Sequence, residues 1–162
     1  MFRTVSLPMG IAGQLHVHSM PGRYEPIAEA MRWMQESKIE RIHSLAGLEE
    51  ILEKSKDYRR AIDAGELNPE IFAIEDYGVP RSQDEFLARA RVIADDLRAG
   101  RHVLIHCAGG HGRTGVMARA VLLALGWTVE EAEAAARAAG TAPETDEQRK
   151  LVAWCAKQTK QR

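Results

Sequence analysis

Cysteine is scarce in this 162-residue sequence, which contains only Cys107 and Cys155. Two cysteines cannot form the disulfide framework of a small secreted domain, so we expect a reducing, cytoplasmic location in which a thiol stays available for chemistry. An excess of one charge is also lacking, because 22 basic residues stand against 23 acidic ones. This balance predicts no general attraction to nucleic acid or to an anionic membrane, and any recognition of anions must be local.

Long hydrophobic runs are absent as well. The longest ones, such as residues 116–127, are interrupted by Arg119 and are too short to span a bilayer, so no integral membrane association is expected. Pro8, Gly10 and Gly13 break up the N-terminal apolar run, which therefore does not fit a signal peptide. Hydrophobic residues make up 45% of the chain and charged ones 28%, as in a soluble globular protein. We predict one domain over residues 1–162, treated as a monomer.

Short apolar runs alternate with longer amphipathic segments along the chain. The predicted strands are residues 15–18, 39–45, 71–74 and 102–106, and the last is apolar enough for a central position in a sheet. Capping patterns and apolar periodicity predict helices over residues 24–37, 82–99, 113–125, 128–139 and 143–157, with a solvated tail over residues 157–162. This alternation predicts an α/β fold, with a central mostly parallel sheet of four to five strands flanked by helices on both faces.

The predicted strand over residues 102–106 leads directly into a glycine-rich loop and then a helix. The loop and the first helical residues are Cys107, Ala108, Gly109, Gly110, His111, Gly112, Arg113 and Thr114. In folds of this class, ligands bind beyond the carboxyl ends of the strands. A tight strand-to-helix loop turns backbone N–H groups inward, and the helix dipole adds positive potential there. The loop is therefore predicted to bind an anion such as phosphate.

Each residue type in this loop suits phosphate chemistry. The glycines accept positive φ angles and let a phosphate approach the backbone closely. The positive potential favours the thiolate of Cys107, which is the nucleophilic form. The planar guanidinium of Arg113 can donate two parallel hydrogen bonds to two phosphoryl oxygens. The hydroxyl of Thr114 can donate a hydrogen bond to the sulfur of Cys107. A buried structural cysteine beside a tight connection is the simpler interpretation, but it leaves the coincidence of these residues unexplained.

Two nucleotide-binding motifs are close to this pattern. Residues 110–115 also read G-x-G-x-x-G, the dinucleotide-binding fingerprint, which needs an acidic residue at the end of a second strand about 20 residues later. The acidic residues near that position, Glu130, Glu131 and Glu133, lie in an alanine-rich helical pattern instead. A P-loop NTPase needs a Gly-Lys-Ser/Thr triplet at the end of the loop, and the sequence has none there. We reject both motifs.

A cysteine that attacks a phosphomonoester expels an alkoxide or phenoxide, so a proton donor is expected opposite the loop. Asp76 is the candidate, since it follows a predicted strand. Gly78 and Pro80 follow it two and four positions later and suit a movable loop. The segment over residues 76–80 reads D-Y-G-V-P.

Residues 106–115 resemble the H-C-x5-R-[S/T]-G signature of the protein tyrosine and dual-specificity phosphatase superfamily, and residues 76–80 resemble its general-acid loop W-P-D-x-G-V-P. The resemblance implies that Cys107 attacks phosphorus to form a phosphocysteine and that Asp76 is the general acid. It implies that Thr114 stabilises the sulfur as a leaving group, without any metal or cofactor. It also implies that the phosphoryl oxygens are held by Ala108, Gly109, Gly110, His111, Gly112 and Arg113.

The sequence departs from this pattern at two positions. Glu75 stands where the family often has Pro, and Ile74 where it often has Trp. Glu75 is therefore a second candidate for the acid. Gln148 lies in a late segment that resembles one of small dual-specificity phosphatases, which implies that it positions the hydrolytic water. Thr145 and Gln148 also match a capping box, so an ordinary helix start remains open for this segment.

The expected substrate is a phosphorylated protein or peptide, bound in a shallow pocket of the dual-specificity type. A phosphoinositide or other non-protein phosphate is the alternative, although Ala108 and His111 stand where lipid phosphatases with similar loops often carry Lys. A phosphate-binding pseudophosphatase or regulatory module is a third possibility, but such proteins usually lose the Cys, the Arg or the acid. His106 is expected to hydrogen-bond the site's surroundings, and Cys155 to pack in the core.

Overall fold

The computed structural model describes residues 1–160. Within these residues, five strands form one sheet in the order β1-β2-β5-β3-β4, and only the β1–β2 pair is antiparallel. The strands are β1 (Arg3–Val5), β2 (Gln14–His18), β3 (Arg41–Ser44), β4 (Glu70–Ile71) and β5 (His102–His106). The mostly parallel sheet, with β5 at its centre, confirms the predicted α/β class.

In the described part of the chain, seven helices connect and cover the strands of this sheet. They are α1 (Ile27–Glu36), α2 (Leu48–Lys54), α3 (Lys56–Asp63), α4 (Gln83–Arg98), α5 (Gly112–Ala124), α6 (Val129–Ala138) and α7 (Asp146–Lys160). Helix α1 starts later than predicted because Pro26 occupies its N-cap and the residue before a proline avoids helical geometry. Helix α7 includes residues 157–160, so the predicted solvated tail is wrong there; residues 161 and 162 lie outside the described part of the chain.

The sheet is covered by helices on both faces, as predicted. On one face, Val103 and Ile105 of β5 belong to the main core together with Ile93 of α4 and Val121 of α5. On the other face, Leu104 of β5 packs in a smaller cluster whose other buried members are Phe2, Met34 and Ile42. Helix α5 is buried over almost its whole surface, in agreement with its apolar sequence.

Strand register brings three carboxyl ends to one edge of the sheet. His106, the last residue of β5, pairs with His18 at the end of β2 and with Ser44 at the end of β3. The strand-to-helix loop over residues 107–111 therefore leaves the sheet between two neighbouring strand ends, at the edge where ligands of such folds bind. Among residues 1–160, no helix is long and apolar enough to cross a membrane.

Candidate active site

The loop between β5 and α5 wraps around the sulfur of Cys107. This side chain is almost buried, with 3% of the residue exposed. The backbone N–H of Gly110 donates to its Sγ at 3.3 Å. Gly110 has a φ of +76°, and a Cβ at this position would lie 2.6 Å from the carbonyl oxygen of His18. Only glycine fits this turn, because both the positive φ and the close backbone exclude a side chain.

Arg113 lies in the first turn of α5 and is held by acceptors from two other segments. Its Nη1 and Nη2 donate to the two carboxylate oxygens of Glu50 at 2.8 and 2.9 Å, a bidentate pair. Nη1 also donates to the carbonyl oxygen of Ile74 at 2.7 Å, and Nη2 lies 3.1 Å from Oδ1 of Asp76. The guanidinium is therefore fixed in the buried interior, with only 1% of the side chain exposed.

Two buried polar atoms at the start of α5 have no hydrogen-bond partner. They are Nε of Arg113 and Oγ1 of Thr114; within the described residues, Nε2 of His43 is the third such side-chain atom. An unpaired buried donor is destabilising, so such atoms are rare in folded proteins unless they serve a ligand or a reaction. Nε of Arg113 is a donor that a bound phosphoryl oxygen would satisfy, and the hydroxyl of Thr114 is likewise left without an acceptor.

Helix α2 supplies two charged residues to this site. Burial alone would raise the pKa of Glu50, but hydrogen bonds from Arg113 and Lys54 outweigh it and lower this pKa to about 2. Nζ of Lys54 lies 2.9 Å from Glu50 and 3.4 Å from Oδ2 of Asp76. The hydrogen bond from Lys54 to Glu50 is the main cause that raises the pKa of Lys54. At neutral pH the cluster thus holds two fixed cations and a fixed anion beside Asp76.

The acid loop brings Asp76, rather than Glu75, to Arg113. Asp76 is half-exposed and accepts a hydrogen bond from the backbone N–H of Tyr77 at 3.1 Å, which orients its carboxylate. Tyr77 has a φ of +62°, an unusual conformation for a non-glycine residue. The exposed Glu75 lines an open cavity of about 580 Å³, and the lining of this cavity includes Glu50 and Ile74 but not Cys107. Of the two acids, Asp76 is the one whose carboxylate lies beside Arg113, where a proton donor is needed.

A buried chain of hydrogen bonds lies beneath the cysteine. Nδ1 of His106 lies 3.0 Å from the carbonyl oxygen of Cys107, so this nitrogen must donate. Nε2 is then the acceptor, and it receives the hydroxyl of Tyr58 at 2.9 Å. Burial lowers the pKa of His106 to about 4, and burial also raises the pKa of Tyr58. Both side chains therefore stay neutral, and His106 supports the loop backbone as the sequence predicted.

The remaining predicted loop residues contact the surrounding scaffold. Ala108 accepts a hydrogen bond at its carbonyl oxygen from the backbone N–H of Met20 at 3.1 Å. His111 is exposed and donates from Nδ1 to the carbonyl oxygen of Gly140 at 2.9 Å. A Cβ on Gly112 would collide with the carboxylate of Glu144. Gly109 lies between these tethered positions and is partly buried. The loop is thus fastened on both sides.

Gln148 is buried near the acid loop, and its side chain is tethered at both ends. Its Oε1 accepts from the backbone N–H of Glu144 at 2.6 Å, and its Nε2 donates to the carbonyl oxygen of Gly78 at 3.3 Å. The backbone N–H of Gln148 donates to Oγ1 of Thr145 at 3.1 Å, which is half of the capping box considered from the sequence. In this arrangement Gln148 connects α7 to the loop that carries Asp76.

Sequence reasoning missed four residues that contact this site: Arg3, Glu50, Lys54 and Tyr58. Glu50 and Lys54 are four positions apart on a polar seven-residue helix, a spacing that solvated helices use routinely. Helices α2 and α3 were not predicted at all, because both are short. Within residues 1–160, no group of three or more His, Cys, Asp or Glu side chains is placed to hold a metal ion.

The fold and the site define a protein of the tyrosine and dual-specificity phosphatase superfamily. A family profile described as Tc-R-P, polymorphic toxin system, DSP-PTPase phosphatase matches residues 17–127. The chain belongs to this family.

Solved structures share the fold of this chain, and one curated relative matches a short part of its sequence. The kinase-associated phosphatase KAP, solved with serine at its catalytic cysteine, is 18% identical, with a TM-score of 0.81 over 100% of this chain and 97% of that one. Tk-PTP in its active form is 25% identical, with a TM-score of 0.68 over 91% and 94% of the two chains. Tyrosine phosphatase 067L of Invertebrate iridescent virus 3 is 35% identical over 49 residues, or 28% of this chain. The match spans only a fifth of that relative's length.

Proposed function

We propose that this chain is a cysteine-dependent phosphomonoester hydrolase, a protein tyrosine phosphatase of the dual-specificity type that works through a phosphocysteine. One observation carries the proposal: the unpaired Nε of Arg113 and the unpaired Oγ1 of Thr114 begin the helix that follows the loop of Cys107. Structural burial of a cysteine gives no reason for either atom to lack a partner. The proposal includes a single phosphatase domain in a reducing compartment, because Cys107 must remain a thiol.

In the first step, the thiolate of Cys107 attacks phosphorus, and an S–P bond forms as the bond to the leaving oxygen breaks. Nε and Nη2 of Arg113 hold two equatorial oxygens, where the charge of the transition state gathers, while Nη1 stays on Glu50 and the carbonyl oxygen of Ile74. Asp76 lies 3.1 Å from Nη2, so it is adjacent to the phosphoryl group. Its protonated carboxyl delivers the proton to the leaving oxygen.

In the second step, water attacks phosphorus and the S–P bond breaks. Asp76, now a carboxylate, accepts the proton of the attacking water, so the acid returns to its starting form with the release of inorganic phosphate. The hydroxyl of Thr114 donates to the departing sulfur and stabilises its negative charge. Gln148 is assigned to hold the acid loop through Gly78 and, with its remaining amide N–H, to orient the water.

The charges around the loop favour a single phosphate group on a protein. Asp76 and Glu75 are exposed beside the site and Glu144 contacts Gly112, so a ligand with several phosphates would meet three carboxylates. His111 uses Nδ1 on Gly140 and offers only one further ring nitrogen. Proteins of this fold have been solved with either kind of ligand, P. aeruginosa TpbA with pTyr and PTPMT1 with PI(5)P. The fold itself therefore does not select the substrate.

The test measures kcat/KM for p-nitrophenyl phosphate, a phosphotyrosine peptide, a phosphothreonine peptide and soluble PI(5)P. Cys107→Ser is compared with Cys155→Ala, which alters the other buried cysteine. We expect Cys107→Ser to abolish turnover and Cys155→Ala to keep it within about twofold, with the phosphotyrosine peptide preferred. Turnover that survives in Cys107→Ser refutes the mechanism. Tenfold preference for PI(5)P refutes the protein substrate, and an inactive wild-type chain that still binds tungstate supports a pseudophosphatase instead.

A further inference from the structure

Arg3 reaches from the first strand to the phosphate-binding loop, far from it in sequence. Its Nη2 donates to the carbonyl oxygen of Gly110 at 2.8 Å, and its Nη1 donates to the carbonyl oxygen of Gly140 at 3.0 Å. Strand β1 holds Arg3 in place through its antiparallel pairing with β2, in which Arg3 lies opposite Val17. One planar guanidinium thus joins the edge strand, the loop and the connection between α6 and α7.

The hydrogen bond to Gly110 fixes the orientation of a peptide group in the loop. In a trans peptide the C=O and the following N–H point in opposite directions. Because Arg3 holds the carbonyl oxygen of Gly110 on one side, the N–H of His111 is aimed to the other. The N–H of Gly110 itself already donates to Sγ of Cys107. A loop with three glycines has little conformational preference of its own, so an external contact of this kind decides which way its amides point.

The second anchor of Arg3 belongs to a rigid segment. Gly140 also accepts a hydrogen bond from Nδ1 of His111 at 2.9 Å, and the N–H of Ala142 donates to the carbonyl oxygen of His111 at 3.2 Å. Thr141 between them accepts from the buried guanidinium of Arg119 at 3.1 Å. The loop is therefore fastened to a segment that is itself held in the core.

Charge adds to this geometry. Burial lowers the pKa of Arg3, whereas a negative charge at Cys107 opposes this shift. The positive charge of Arg3 and a negative charge at Cys107 therefore attract each other. Arg3 approaches the loop from the outside, on the carbonyl side of Gly110. It therefore does not fill the space in which a phosphoryl oxygen would bind.

We propose that Arg3 is a positioning residue for the oxyanion site, which holds the Gly110–His111 peptide with its N–H directed at the phosphoryl group and places a positive charge beside the loop of Cys107. This inference rests on the proposed phosphatase function. It makes the N-terminal strand part of the catalytic apparatus, although Arg3 touches neither substrate nor sulfur.

The test compares Arg3→Met and Arg3→Lys with Arg98→Met. Arg98 is a matched control, because its Nη2 also donates to a backbone carbonyl of another helix, Ala124, at 2.8 Å, away from the site. For each variant, three quantities are measured: the Kd for tungstate, kcat and KM for p-nitrophenyl phosphate, and the pH profile of Cys107 alkylation by iodoacetamide, read by mass spectrometry. Thermal unfolding shows which variants are folded at the assay temperature.

We expect Arg3→Met to raise the Kd for tungstate and to lower kcat/KM by about tenfold or more, and to move the alkylation profile to higher pH. Arg3→Lys keeps the charge but can reach only one carbonyl, so its alkylation profile should stay near that of the wild type while tungstate binding weakens. If Arg3→Met is folded and its Kd for tungstate equals that of Arg98→Met, the inference is wrong. If Arg3→Met is unfolded, the same comparison is made with folded Arg3→Lys, and an equal Kd again shows that the inference is wrong. If the wild type neither binds tungstate nor turns over substrate, the proposed function itself fails.

Discussion

Neutralising Glu50 tests how far the buried arginine depends on its carboxylate partner. The pKa of Glu50 is lowered from 4.5 to about 2, which corresponds to at most about 3 kcal/mol of stability at neutral pH. In Glu50→Gln, the amide oxygen still accepts from one Nη of Arg113, but its NH2 group faces the other donor. We therefore expect the free energy of unfolding to fall by about 2 kcal/mol.

The same substitution should also reduce activity. If the guanidinium of Arg113 rotates away from its bidentate position, its donors no longer point at two phosphoryl oxygens. Misplacement of a catalytic group by about 1 Å reduces rates about 100-fold. We expect kcat/KM for p-nitrophenyl phosphate to fall about 10- to 100-fold in Glu50→Gln. Urea unfolding and steady-state kinetics measure the two effects. Glu49→Gln, an exposed neighbour on the same helix, is the control and should change neither quantity. If the two variants behave alike, Glu50 does not position Arg113.

Two further predictions concern the proton donor and the behaviour in acid. Asp76→Asn should slow turnover about 10²–10⁴-fold and flatten the basic limb of the pH–rate profile, whereas Glu75→Gln should do neither; the reverse result moves the acid role to Glu75. Burial lowers the pKa of His106 to about 4 from 6.5, so the unfolded chain binds more protons in this window and stability is lost as pH falls from 6.5 towards 4. Urea unfolding measures how much the free energy of unfolding falls between pH 7.5 and pH 5.0. This fall should be about 2 kcal/mol smaller in His106→Asn than in the wild type, and an equal fall in both would contradict the explanation.

The structure confirms the strand-to-helix junction that the sequence predicted around Cys107, because the pattern that indicates it is local. Cys107 and Arg113 are only six residues apart, and a strand-to-helix junction brings them together without help from distant segments. The central strand β5 was also clear, since an apolar run buried on both faces has few other interpretations. By contrast, β1 has three residues at the edge of the sheet and carries no periodic signal.

Glu50 and Arg3 could not be predicted from the sequence as parts of the site, for a different reason. Each makes its contact only because separate segments pack together. Glu50 is 63 residues from Arg113 in the sequence, and Arg3 is 107 residues from Gly110. A glutamate and an arginine on short surface elements are ordinary residues until the tertiary structure assigns them a partner. The candidate residues for the chemistry could therefore be named from the sequence, whereas the residues that contact and orient them could not.

The charges around Arg113 are balanced, and a bound phosphate would change this balance. Arg113 and Lys54 are matched by Glu50 and Asp76, so the cluster is neutral when both acids are ionised. A phosphate dianion that enters beside it makes the cluster strongly negative, and nearby negative charge favours the protonated form of a carboxyl. Glu50 keeps its ionised form because Arg113 and Lys54 hydrogen-bond it directly. Asp76 is more exposed than Glu50 and pairs with Arg113 through only one carboxylate oxygen, so of the two acids it is the one that is free to act on a leaving group.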